Sequence, residues 1–280
     1  MSIDKIGRYE IEGELGHGGM SSVYVARDPF MNRQVAIKVL SYKLVSDTMF
    51  HEHFQREAEV IASLEHPCVV PIFDFGWHGD QPYIVMRHMN GGTFQDRIQG
   101  DKIRLTNLAR IISRVAEGLD AAHRKDIVHR DVKPSNILFD DANKAFLSDF
   151  GLAKMLHQST GTTGAYLVGT PAYMSPEQIQ NYPLDGRSDV YGLGIVLFKA
   201  LTKRLPFDND SPMAMAVAHV TQDIPDVREF RPDLNESWAE IIQKALAKEP
   251  DDRYASAGEL AQEVSEVASG RWYLRKIMED

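Results

Sequence analysis

Over much of the first ninety residues, apolar and polar positions alternate with the period of two that predicts strands. Tyr9 to Val25 alternates around a glycine-rich centre, Gly16-His17-Gly18-Gly19-Met20-Ser21-Ser22-Val23. Val35-Ala36-Ile37-Lys38-Val39-Leu40 follows, an apolar run around a single lysine. Met49 to Leu64 switches to helical spacing, with Phe50, Phe54, Ala58, Ile61 and Ala62 on one stripe and Glu57 near its middle. Val69 to Phe75 and Tyr83 to Met86 are again strand-like, joined by a turn at His78-Gly79-Asp80. Arg87-His88-Met89-Asn90-Gly91-Gly92 then breaks the pattern. A Gly-Gly pair after a strand predicts a connector between two lobes.

Beyond that break the helical period dominates. Leu105, Leu108, Ile111, Ile112, Val115, Leu119 and Ala122 recur at spacings of three and four up to His123. Two short apolar runs, Ile127-Val128 and Ile137-Leu138-Phe139, flank the polar stretch His129-Arg130-Asp131-Val132-Lys133-Pro134-Ser135-Asn136. Phe139 to Leu147, with its Asp141-Ala142-Asn143 turn, predicts a small hairpin. Asp189 begins a largely apolar helix through Leu193, Val196, Leu197 and Leu201. Residues 212–268 predict three more helices, one with a stripe of Trp238, Ile241, Ile242, Ala245 and Leu246. Gly270 to Asp280 lies past the predicted fold as a docked helix, a frayed end or a juxtamembrane stub.

Composition changes this picture little. At 280 residues the chain is long enough for a second lobe. Its 43% apolar and 25% charged residues are ordinary for a globular protein. A net charge of −9 argues against nonspecific nucleic-acid binding, which needs a basic face. The single cysteine, Cys68, cannot close an internal disulfide and sits after Pro67 in an apolar run, so it reads as buried filler. No stretch reaches the roughly 18–20 apolar residues of a membrane span, and MSIDKIGRYEIEG lacks the core of a signal peptide. The expectation is a soluble cytoplasmic chain, either complete or the cytoplasmic head of a membrane receptor.

The polar stretch carries the chemistry. Asp131, Lys133 and Asn136 place a carboxylate, an ammonium and an amide within six residues, and Asp149-Phe150-Gly151 adds a second carboxylate. A base, a cation and two oxygen-bearing metal ligands suit in-line phosphoryl transfer, which is mostly positioning and charge neutralisation. A polar turn between two strands is the plain alternative. The glycine-rich centre lets backbone N–H groups approach phosphates, although glycine hairpins are commonplace. A dinucleotide fingerprint would need a helix after the glycines, and a P-loop would need a G-x-x-x-x-G-K-[ST] run; the chain has neither. Lys38, costly in a half-buried strand, has a candidate partner in Glu57, whereas Glu52 and Glu59 fall on the solvated face.

Glycine loop, V-A-I-K, helix glutamate, H-R-D-x-K-x-x-N, D-F-G and a P-E motif stand here in one order. With them the chain resembles the eukaryotic-type protein kinase superfamily, especially its bacterial serine/threonine branch, over about residues 9 to 268. The resemblance implies an α+β fold: an N-lobe (1–88) of small antiparallel sheet with one main helix, and a larger, mostly helical C-lobe (89–268). Residues 269–280 would be an extension. It implies ATP with Mg²⁺, with Mn²⁺ as a substitute, and protein substrates. Asp131 would orient the substrate hydroxyl, Lys133 would neutralise the transferring phosphoryl group, and Asn136 and Asp149 would hold the metal. Lys38, kept in place by Glu57, would hold the α/β-phosphates. Leu15, Gly16, His17, Gly18, Gly19, Met20, Ser21 and Val23 would cover the nucleotide, with Val23 and Ala36 sandwiching adenine against Leu138. Met86 would be the gatekeeper, and Arg87 and Met89 would bond the adenine edge.

Several further roles follow from the same resemblance. Lys133 and Thr170, in Gly169-Thr170-Pro171-Ala172-Tyr173, are similar to the Ser/Thr-specific class. Between Gly151 and Thr170 the chain is polar and glycine-interrupted, and Ser159, Thr160, Thr162 and Thr163 are candidate phosphorylation sites. A phosphate there could pair with Arg130 and order the loop; a solvated Ser/Thr-rich loop is the alternative. Glu177 would pair with Arg253 to fix a peptide-binding shelf, and Asp189 would cap the His129–Arg130 turn. Ser21 stands where the family's third glycine is usual, and Ser175 replaces an alanine before Pro176-Glu177. No catalytic position is missing, which disfavours a nucleotide-binding scaffold without activity. The full Gly169–Glu177 set disfavours a small-molecule phosphotransferase. Dimerisation through the N-lobe occurs in the bacterial branch, and a membrane partner would require chain beyond Asp280.

Overall fold

Alternating β-branched and aromatic residues build the first part of the fold as an antiparallel sheet. The computed structural model describes residues 4–18, 21–41, 48–150, 171–209 and 211–271 of the 280. Six strands lie in the order β1-β2-β3-β4-β6-β5. They are β1 (Lys5–Ile6), β2 (Tyr9–His17), β3 (Ser21–Asp28), β4 (Arg33–Leu40), β5 (Ile72–His78) and β6 (Gln81–Arg87). Ile6, Tyr9, Ala26, Val35, Ile37, Val39, Tyr83 and Val85 form one core cluster of this sheet. Helix α1 (Thr48–Ala62) follows β4, and Phe54 of its apolar stripe meets Phe75 and Trp77 of β5 edge-on, at ring separations of 6.3 and 5.2 Å. Cys68 is fully buried.

Two boundaries differ from the expected ones for local reasons. Val69 and Val70 are buried but precede the strand, which begins at Ile72 because Pro71 has no N–H to pair. Pro71 contributes only its carbonyl, which accepts from the Arg87 amide at 3.0 Å. The β5–β6 turn is Gly79-Asp80 alone: His78 pairs with Gln81, and Gly79 takes the positive φ that a two-residue hairpin demands.

The chain divides into two compact units between Asn90 and Gly91. Gly91 has no room for a side chain, since a Cβ there would lie 2.5 Å from the Asp140 carbonyl and 2.7 Å from that of Phe139. Its amide and the Gly92 carbonyl bond the two sides of Phe139, at 2.8 and 3.0 Å. Gly91-Gly92 thus begins the second unit by lying against its small hairpin, β7 (Ile137–Phe139) with β8 (Ala145–Leu147).

The helices of the second unit are α2 (Phe94–Gln99), α3 (Leu105–His123), α4 (Pro176–Ile179), α5 (Gly186–Thr202), α6 (Pro212–Thr221), α7 (Glu236–Ala245) and α8 (Ala257–Ala268). Periodicity missed α2 and α4 because each spans less than two turns. Their signal is a capping box, Thr93 with Asp96 and Ser175 with Gln178. Helix α5 is the centre of this unit. From Ser188 to Phe198 every residue is buried, so it shows no polar face. It packs on α3, α7 and α8, and Gly194 lets it approach Leu246 and Ala245 where a Cβ would clash. Asp120 of α3 accepts the Ala257 and Gly258 amides at 3.1 and 3.0 Å and so caps α8.

One buried ion pair ties α4 to the segment before α8. The Arg253 guanidinium grips both oxygens of Glu177 at 2.7 and 2.8 Å. Its remaining N–H groups donate to the Ala247, Arg187 and Lys248 carbonyls, so all of its donors are used. Ser188 also donates to Glu177, at 2.7 Å. Burial pushes the Glu177 carboxyl up, but the Arg253 hydrogen bonds and charge outweigh it and hold the group below the usual carboxylate range. The stabilisation is therefore present above about pH 4.3 and is lost as pH falls through the depressed native value. Arg253→Met, which leaves Glu177 buried and unpaired, is expected to lower unfolding free energy by about 3–5 kcal/mol at pH 7. In urea titrations followed by tryptophan fluorescence, Glu177→Gln should show a shallower loss of midpoint between pH 5 and pH 2.5 than the wild type. Equal slopes would show that this pair does not set acid stability.

Candidate active site

Asp189, in the first turn of α5, is 1% exposed, and its carboxylate faces backbone from the catalytic stretch. Oδ2 accepts the His129 amide at 2.8 Å and Oδ1 accepts the Arg130 amide at 2.9 Å. Arg130 has a left-handed backbone, φ 68°, costing about 1–3 kcal/mol for a residue with a side chain. It is clamped from both sides, because Gln178 of α4 donates to the Arg130 carbonyl at 2.9 Å. The capping box that starts α4 therefore also steadies the catalytic turn.

His129 is fully buried and its ring links the next two segments. Nδ1 accepts the Asp131 amide at 3.2 Å, which places the ring proton on Nε2, where it is donated to the Ser148 carbonyl at 2.8 Å. The ring packs on Phe150 with centroids 4.5 Å apart. Ser148 returns the connection: its amide and hydroxyl both donate to the Asn136 carbonyl, at 2.9 and 3.0 Å. Asp149, next in the chain, has φ 66°.

Asp131, Lys133 and Asn136 converge. Lys133 Nζ lies 2.7 Å from Asp131 Oδ2. Asn136 Nδ2 donates to that same oxygen at 3.0 Å and to the Asp131 carbonyl at 2.8 Å. Among the described residues, nothing engages Asp131 Oδ1 or donates to Asn136 Oδ1. One carboxylate oxygen and one amide oxygen of the site are thus left unengaged among the described residues. Asn136 Oδ1 and the Asp149 carboxylate, the two expected metal ligands, are both oxygen donors of the kind a hard divalent cation takes. Arg130 Nε is buried with no acceptor among the described residues.

The N-lobe residues stand on their own sheet. Lys38 is half-buried on β4, in register with Val23 on one side and Ile84 on the other. Glu57 is half-buried on α1 between the buried Phe54 and Ala58. Ala36 pairs with Val25 and with Met86, both Ala36 and Met86 being buried. The glycine hairpin closes through Gly18 N–H to the Ser21 carbonyl at 2.9 Å and His17 Nδ1 to Ser22 Oγ at 2.8 Å. Gly16 faces Val23, and Leu15 is the extra residue of a bulge in β2, which leaves its side chain 52% exposed. Arg87 ends β6 and Met89 follows it, both half-buried; Leu138 lies on β7, also half-buried. Gly19, Met20, Ser159, Thr160, Thr162, Thr163 and Thr170 lie outside the described residues.

Sequence reasoning missed three supports: His123, Ser148 and Gln178. His123 Nε2 lies 2.7 Å from Asp189 Oδ2. Burial alone would lower its pKa, but the hydrogen bond and charge of Asp189 more than offset that and raise it. When protonated, His123 supplies the counter-charge a buried carboxylate needs. Gly186 makes room for it, since a Cβ there would lie 2.6 Å from His123 Nδ1. Only Gln178 had a readable signal, the Ser-x-x-Gln spacing after Thr170.

The comparisons agree with this architecture. The protein kinase domain family matches residues 9–266, and the chain belongs to that family. It is similar to the serine/threonine-protein kinase PknB of Mycolicibacterium smegmatis, 40% identical over 272 residues that cover 94% of this chain and 43% of the relative. It is also similar to the serine/threonine-protein kinase PrkC of Bacillus subtilis, 39% identical over 92% of this chain and 40% of the relative. The chain thus spans about two fifths of the length of these curated relatives. The Mycobacterium tuberculosis PknI kinase domain superposes with TM-score 0.78 at 28% identity, covering 96% of this chain and all of that one. The fold is the bilobal α+β kinase fold, with an antiparallel-sheet N-lobe and a helical C-lobe.

Asp189→Asn replaces an acceptor oxygen by a donor. Hydrogen exchange at the His129 and Arg130 amides should rise about ten- to hundredfold, the worth of hydrogen bonds to a charged group. His123→Phe should give a smaller change in the same direction. Exchange rates measured by NMR that stay unchanged in Asp189→Asn would refute the clamp.

Proposed function

We propose that this chain is the catalytic domain of an ATP-dependent protein kinase that transfers the γ-phosphoryl group to serine and threonine hydroxyls of proteins. The observation that carries this reading is the Asp131 carboxylate, with Oδ2 held by Lys133 and Asn136 and Oδ1 left to face a substrate hydroxyl. Asp131 Oδ1 orients the hydroxyl and accepts its proton as the oxygen attacks phosphorus. Lys133, half-buried beside it, turns its charge to the transferring phosphoryl group. By its likeness to the family's threonine at this position, Thr170 is assigned to the same aspartate and lysine. Lys38, oriented by Glu57, holds the α/β-phosphates, and the hairpin from Leu15 to Val23 covers them. The adenine contacts are assigned by likeness to the family to Val23, Ala36 and Leu138, the gatekeeper position to Met86, and the reading of the adenine edge to the backbones of Arg87 and Met89. Asn136 and Asp149 hold a divalent cation, Mg²⁺ or in its place Mn²⁺, which when bound neutralises phosphate charge.

Protein substrates lie along a shelf formed by Pro171–Tyr173 and α4, braced by Glu177 and Arg253. The buried Arg130 Nε without a described acceptor supports a phosphate-receiving role for Arg130. Thr162 and Thr163 are the phosphorylation sites of first choice, with Ser159 and Thr160 behind them. The exposed Phe30 and Met31, in the turn between β3 and β4, support homodimerisation through the N-lobe. The domain works on the cytoplasmic side, free or as part of a longer membrane protein.

With labelled ATP, Mg²⁺ and a generic basic protein, Asp131→Asn should transfer phosphate about a hundred- to ten-thousandfold more slowly than wild type. Equally poor transfer by both would refute the enzymatic reading. Lys38→Met should lose kcat by orders of magnitude and keep its thermal midpoint; unfolding would instead mark a structural lysine.

Mass spectrometry after incubation with ATP should find phosphate between Ser159 and Thr170, and Arg130→Ala should lose the activity that this phosphate confers. A fully active chain without loop phosphate would refute the switch.

A further inference from the structure

Lys199 is a half-buried cation to which the proposed mechanism gives no task. It projects from α5, a helix otherwise almost wholly apolar, and no carboxylate lies within ion-pair distance of it among the described residues. Its ammonium donates to Gln95 Oε1 of α2 at 3.1 Å and to the Tyr173 hydroxyl at 2.8 Å, and it stands 5.5 Å from the centre of the Tyr173 ring. Burial lowers its pKa, offset only in part by the exposed Asp208 carboxylate. A charge held in this way is costly unless something repays it.

The hydrogen-bond inventory shows what is left over. An ammonium has three donors, and two of those on Lys199 are used. The Tyr173 hydroxyl accepts from Lys199, so its own proton remains to be donated, and no described residue takes it. One charged and one neutral donor therefore remain side by side, and no third group between them supplies negative charge. The phenol belongs to the largely buried Tyr173 of the Pro171–Tyr173 turn, the proposed substrate shelf, and Lys199 reaches it from α5.

We propose that Lys199 and the Tyr173 hydroxyl form an anion subsite that selects protein substrates with an aspartate or glutamate near the accepting serine or threonine. The ammonium supplies charge, the phenol supplies a directed hydrogen bond, and Gln95 keeps the lysine side chain in place. This rests on the kinase reading, through the assignment of the shelf.

The test uses peptides with one threonine acceptor and a single Glu, Gln, Arg or phosphoserine scanned through each flanking position. Transfer and, separately, equilibrium binding by fluorescence anisotropy are measured for wild type, Lys199→Arg, Lys199→Gln and Lys199→Glu. At one flanking position wild type should prefer Glu over Gln by about five- to tenfold in kcat/KM and in affinity, as a partly buried charge pair allows. Lys199→Arg should keep that preference, Lys199→Gln should abolish it, and Lys199→Glu should reverse it toward Arg. Tyr173→Phe should weaken it with the lysine intact. The same Glu-to-Gln ratio in wild type and Lys199→Gln would overturn the proposal. So would a phosphoserine preference far beyond that for Glu, which would assign the subsite to phosphorylated substrates. Absence of transfer to every peptide would contradict the kinase reading, and the binding ratios alone would then decide the subsite.

Discussion

The Asp189 carboxylate is the constraint on which the C-lobe site depends. It is a buried charge whose acceptor capacity is used on the His129 and Arg130 amides and on His123. Those contacts hold Arg130 in a left-handed conformation, and the turn so formed sends Asp131, Lys133 and Asn136 to one point. Without an anion there, one buried and one partly buried amide would lack partners, and the strain at Arg130 would have nothing to oppose it.

The rigidity of that carboxylate comes from α5. A helix buried on every side cannot rotate or shift without opening cavities in its neighbours, so an acid on its first turn is a fixed point. The Glu177–Arg253 pair extends the same frame to α4, whose Gln178 grips the other side of Arg130. Two buried charge systems thus converge on one turn. Each is satisfied to its last described hydrogen bond, which is how a buried charge in a protein interior becomes a positioning device rather than a liability.

Much of the fold was legible because periodicity survives wherever an element has one apolar face. The stripe of α3, the paired strands around Lys38 and the hairpin after Asn136 all follow from residue spacing. Where a single proline or a short capping box decides, periodicity says little: Pro71 delayed β5, and α2 and α4 went unseen. At the site, the residue types within His129–Asn136 announced their chemistry, as did Asp149 and Asp189. His123 and Ser148 did not, because a histidine at a helix end and a serine just past a strand are unremarkable until their partners, 66 and 12 residues away, are known.

The linear order of the motifs, on its own, determined the family, the two unlike lobes and the residues with the means to move a phosphoryl group. Those are properties of residue type and spacing, and they can be read along the chain. Only the tertiary structure decided which oxygen of Asp131 is held by Lys133 and Asn136, that the Asn136 amide nitrogen bonds Asp131, and that Lys199 meets Tyr173 with no carboxylate in ion-pair reach among the described residues. These depend on directions in space between residues far apart in the chain, and hydrogen-bond geometry exists only once the backbone has brought them together.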